Sequence, residues 1–183
     1  MRRLWWLAAS LLVLATAVSQ DCKKTEYGME QQKYLNDALQ KFYACPLPLD
    51  ATCRAALAQA LEHIYGVKDF GSESGYMTPA EITKKVGSDP NWTHVGSASD
   101  QNALKSAQDS ANCGKAVIAV LASDAGGHVA IILPGALVRS NGWKLDVPNS
   151  ASFFTHNPSK SFAGKPLSYS FPNVVGIELY ARK

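Results

Sequence analysis

Apolar positions recur at helical spacing in the first half of the chain and in continuous β-branched runs in the second. Between Tyr27 and Tyr43, residues Leu35, Ala38, Leu39 and Phe42 fall at i, i+3, i+4 and i+7, which predicts an amphipathic helix. Two prolines in CPLPLD, Cys45 to Asp50, end it. In DATCRAALAQALEHIYG, residues Cys53, Leu57, Ala60, Leu61 and Ile64 share one helical face, so a second helix is expected. Asp50 or Thr52 suits its N-cap and Gly66 its C-cap. Residues 66–75 read as a loop. TPAEITKKVG then carries Thr78 as N-cap, Pro79 at the first helical position and Glu81 as the partner in a capping box. DPNWTHVGSAS reads as a loop or short strand, and 100–110 as a further helix.

The pattern then changes. KAVIAVLA (115–122) and HVAIILPG (128–135) are apolar and β-branched, as buried strands are, with SDAGG as a hairpin loop between them. Pro134 and Gly135 are expected to end the second strand. WKLDV and VVGIELYAR are later strands. The stretch from Pro148 to Asn173, rich in Pro, Ser and Asn, reads as an ordered surface segment. Helices first and a sheet afterwards is an α+β order rather than βαβ alternation.

The N-terminus alters the setting. MRRLWWLAASLLVLATAVS has a positive start, an apolar stretch of about 15 residues and a small-residue cleavage site, the form of a secretory signal peptide at 1–19 and too short for a membrane span. Its removal leaves 20–183 as a single domain, with 20–50 as a helical extension, in a secreted or periplasmic location. Loss of Arg2 and Arg3 lowers the formal charge from +3 to +1. No Lys/Arg cluster remains to suggest nucleic acid, and no second apolar run suggests a membrane partner.

Cys22, Cys45, Cys53 and Cys113 all lie beyond the signal. An oxidising compartment permits two bridges in any of three connectivities, or one bridge and two thiols. The four histidines, His63, His94, His128 and His156, are scattered and show no HExxH or CxxC spacing, so neither a metal nor a cofactor is expected. Cys53 lies in the first turn of a predicted helix, where free N–H groups and the helix dipole favour a thiolate. The same helix turns its apolar face inward, toward the expected sheet. An imidazole there would serve as general base. His128, at the mouth of a strand and beside Gly126 and Gly127, is the candidate. The structural alternatives are a half-cystine at Cys53 and a satisfied core histidine at His128. Cys113, ahead of a strand, reads as a packed thiol or a half-cystine with Cys22 or Cys45.

The order of ATCRAALAQAL, a strand, and GHVAIILPG resembles the NlpC/P60 and CHAP superfamily of papain-like cysteine peptidases and amidases. The resemblance spans roughly 51–183. It implies a papain-like α+β fold in which N-terminal helices pack on an antiparallel sheet. It also implies amide hydrolysis through an acyl-enzyme, with Cys53 as nucleophile and His128 as base. A third polar group on the next strand would orient the imidazole. Asn149 is preferred for this and Asp146 is its rival, although Pro148-Asn149-Ser150 is also ordinary turn chemistry. The Cys53 backbone N–H would serve as an oxyanion donor. Peptidoglycan peptide stems or another peptide are the implied substrate, with an immunity or inhibitor protein as a further partner. A secreted, disulfide-stapled binding or inhibitory domain without catalysis is the alternative. Asn91-Trp92-Thr93 matches a glycosylation acceptor, and Tyr76, Trp92 and Trp143 are candidates to line a cleft.

Overall fold

The structure, a computed structural model, describes residues 28–123 and 126–183. The expected signal at 1–19 and Cys22 lie outside them. Helix α1 (Met29–Tyr43) buries Leu35, Leu39 and Phe42 on the expected stripe. The second predicted helix is two: α2 (Ala51–Arg54) and α3 (Ala56–Tyr65) meet at Ala55, whose φ of −90° and ψ of 3° interrupt the helix. Gly66 closes α3 in the left-handed region at φ 66°, where a glycine carries no Cβ penalty. A two-residue ladder, β1 (Gly71–Ser72) with β2 (Gly75–Tyr76), precedes α4 (Pro79–Val86). Thr78 and Glu81 form the capping box foreseen for α4.

Strands β3 (Trp92–Ser97), β4 (Val117–Leu121), β5 (His128–Ser140), β6 (Leu145–Ser152), β7 (Phe162–Pro166) and β8 (Ile177–Arg182) form one antiparallel sheet in the order β3-β8-β4-β5-β6-β7. Helix α5 (Gln101–Asn112) connects β3 to β4. The class is therefore α+β, with helices on a mostly antiparallel sheet.

Two expectations fail here. Pro134 and Gly135 do not end β5. They fall inside a register shift between Leu133 and Val138, and pairing with β6 resumes beyond it, the form of a bulge that absorbs a proline without ending the strand. The segment from Pro148 to Asn173 is not a surface segment. It completes β6, supplies the edge strand β7, and buries Phe153, Phe162, Leu167 and Phe171.

The sheet separates two cores, because successive strand residues point to opposite faces. On the first face Ile118, Val120, Val129, Ile131 and Leu133 meet α1, α3 and α4. On the second, Val117, Ala119, Ala130 and Ile132 meet Ala103, Leu104, Ala107 and Ala111 of α5. Small residues let α5 sit close. A Cβ added at Gly96, where φ is 139°, would lie 2.9 Å from Ala103 Cβ. The last strand is fastened by Asp69, which accepts from Arg182 Nε at 2.7 Å and Trp92 Nε1 at 3.1 Å. The Arg182 bond holds the Asp69 carboxyl below its usual range.

Candidate functional site

Cys53 stands where the sequence placed it, in the opening turn of a helix that packs against the first core. Its sulfur is bonded to Cys45 across 1.99 Å. A disulfide sulfur has no thiolate, so the expected nucleophile is not present in this form. The expected oxyanion donor is also engaged: Cys53 N–H donates to Asp50 Oδ1 at 2.8 Å. A carboxylate seated on that donor opposes a developing oxyanion rather than stabilising it. Cys53 borders a cleft of about 270 Å³ whose lining, among the described residues, includes Tyr34, Asp37 and Lys41 but no histidine. Cys113 is likewise a half-cystine, and no described cysteine is free.

His128 opens β5, opposite Leu121 of β4. Two residues on, Ala130 faces the second core, while Val129 between them faces the first. By that alternation His128 lies on the α5 face of the sheet, and its ring contacts agree. It stacks on Phe154 with centroids 4.6 Å apart and meets Phe171, a member of the second core, edge-on at 5.2 Å. The sheet therefore stands between Cys53 and His128. Correcting the expected pairing follows from strand parity: one residue of offset along β5 selects the opposite face.

The imidazole is held as a neutral ring. Burial lowers its pKa from 6.5 to about 4, with electrostatic interaction with His156 as a lesser cause. Its Nε2 lies 2.7 Å from Ser152 Oγ. Ser152 is fully buried, which leaves its hydroxyl no approach for a substrate. This is a satisfied histidine in an aromatic enclosure.

Asn149 does not orient His128. It pairs with Leu133, five residues along β5, a distance on the order of 16 Å at strand rise. Its backbone N–H donates to Gln108 Oε1 at 3.4 Å. Asp146 is farther still, opposite Arg139. The group that meets the imidazole is Ser152, which sequence reading passed over. The signal that finds it is the β5–β6 register, which sets Ala130 against Ser152. The other histidines serve elsewhere: His63 stacks on Tyr34, and exposed His94 pairs with Glu178 at 2.6 Å. Among the described residues no group of three or more His, Cys, Asp or Glu side chains is placed to hold a metal. No helix among them is long and apolar enough to cross a membrane.

A further concavity lies at the far end of β5 and β6. It is a cleft of about 630 Å³ between Val138–Trp143 and the segment around Tyr169 to Val175. Of the aromatic residues proposed for a cleft from sequence, Trp143 lines this one, whereas Trp92 is buried beside Phe70. Tyr76 lines a separate opening with Tyr34, Glu62 and His63. No family model matches the chain, and no curated protein matches it either.

Proposed function

We propose that this chain is an exported, disulfide-stapled binding domain that uses a helix-on-sheet scaffold without thiol catalysis. The observation that carries this reading is the Cys45–Cys53 bond, which consumes the one cysteine at a helix start among the described residues. The position of His128 on the opposite sheet face supports it. The packing of N-terminal helices over an antiparallel sheet is the arrangement that the NlpC/P60 resemblance implies. A papain-like scaffold retained for binding is consistent with both. Export follows from the signal-like N-terminus and from the use of cysteines in disulfides. The partners are then molecules outside the cytoplasm, peptidoglycan among them.

The test is thiol counting beside a hydrolysis assay. Alkylation of the native protein under non-reducing conditions should leave Cys53 unmodified. Purified protein should release no more fragments from peptidoglycan than buffer does. Release by the wild type that disappears in Cys53→Ala would overturn the proposal and restore the cysteine amidase reading. The position of Cys53 at a helix N-terminus is the feature that favours that second reading.

A further inference from the structure

We infer that the cleft between the β5–β6 tip and the segment before β8 binds a saccharide that carries a carboxylate. The inference rests on the binding reading above and supplies it with a site and a ligand class.

Three of the seven large apolar side chains exposed among the described residues, Val138, Tyr169 and Val175, line this one concavity. Tyr169 is 64% exposed and Val175 74% exposed. Apolar surface gathered in one polar-rimmed concavity marks a binding site more often than scattered exposure does. Trp143 adds a second, half-buried aromatic ring. The polar lining is chiefly amide and hydroxyl, from Asn141 and Asn173 as well as serines. A primary amide both donates and accepts, as a sugar hydroxyl does. Aromatic rings beside such groups suit a ligand with one apolar C–H face and a polar edge.

Charge narrows the class. Among the described residues, Arg139 is the sole ionisable cation of the cleft lining, and no carboxylate side chain lines it. Its Nη1 reaches Asp146 at 3.4 Å, with both side chains largely exposed. That single long contact leaves most of the guanidinium donors unspent. A second cation is close, with Lys165 Nζ 5.7 Å from the centroid of the Tyr169 ring. Two cations around an aromatic, amide-rich cleft complement a carboxylated sugar, with Arg139 able to hold the carboxylate in a bidentate pair.

The experiment is calorimetry on the full chain with acidic oligosaccharides built from galacturonate, glucuronate or N-acetylmuramate. Their neutral counterparts and triglutamate peptide are the comparison ligands. At least one acidic oligosaccharide should bind, more tightly than its neutral counterpart. Tyr169→Ala, at an exposed position, should weaken binding about tenfold. Arg139→Gln should erase the preference for acidic over neutral sugar while leaving residual binding to both. Chemical-shift changes should centre on Trp143 and Asn173. No binding of any acidic oligosaccharide, or binding indifferent to both variants, overturns the inference. Tyr169-dependent binding of triglutamate alone overturns the saccharide assignment but leaves the non-catalytic binding reading intact. That reading fails separately, by Cys53-dependent hydrolysis.

Discussion

The two faces of the sheet are built on different chemistry. The first is bulky: Leu35, Phe42, Leu61, Phe70, Ile131 and Phe153 fill it with large apolar side chains. The second pairs small apolar residues with an internal polar set. Gln108 donates to the Leu133 carbonyl at 3.0 Å, Ser150 to that of Lys165 at 3.0 Å, and Ser152 meets His128. Bulk supplies burial energy on one side. On the other, close approach of α5 is combined with groups that must each find a partner. Buried hydrogen bonds contribute little net stability but cost much when broken. The first face should therefore respond to lost volume, and the second to pH and to lost partners.

The largest expected effect tests the first face. Phe153, which meets Phe42 edge-on at 5.4 Å, is almost wholly buried. Phe153→Ala should cost about 3–5 kcal/mol in urea denaturation. A loss below about 1 kcal/mol would mean that the first core collapses around the gap.

Next comes the pH response of the second face. Because the folded pKa of His128 is lowered from 6.5 to about 4, the unfolded chain takes up the proton first. The stability contribution of the neutral ring is complete above pH 6.5 and is lost as pH falls toward 4, in total about 3 kcal/mol. His128→Gln should flatten this part of the stability profile, measured by denaturation at fixed pH steps. An unchanged profile would assign the response to other groups.

Somewhat smaller is the staple. Cys45 and Cys53 are eight residues apart in sequence. Closing so short a loop restricts the unfolded chain by about 2.5 kcal/mol on the loop-entropy account. The Cys45→Ala, Cys53→Ala double variant should lose that amount and remain folded at 25 °C. Full unfolding would show that the staple, rather than the apolar packing, organises the first face. Last, Ser152→Ala should cost about 1 kcal/mol at pH 7. It should also shift the His128 titration, read by its ring resonances, whereas Phe153→Ala should not.

Much of this architecture can be read from sequence where one signal dominates. The stripe of α1, the Thr78–Glu81 box of α4 and the apolar runs of β4 and β5 all appear where their patterns put them. Ala55 gave no warning of the break between α2 and α3, because alanine is a good helix former and no Gly or Pro marks the place. The anchors Phe153, Phe162, Leu167 and Phe171 were hidden by irregular spacing among Pro, Ser and Asn. The central difficulty was the run Val129 to Leu133. A strand buried on both faces is apolar at every position, so the sequence carries no alternation to say which face His128 shares. Helix order and strand order both allowed it to meet Cys53. Only the pairing register, with its bulge at Pro134 and Gly135, sets it beside Ser152.

The place of β8 has a consequence for how the chain reaches this form. Residues 177–182 lie between β3 and β4, bonded to both. Until they arrive, two strands made earlier keep open edges and the sheet remains in two pieces. A ribosome releases these residues after the five other strands, so the sheet closes only once those strands are outside the exit tunnel. The insertion of one short strand is then the step that joins the two pieces into one sheet, a long-range pairing of the slow-forming kind.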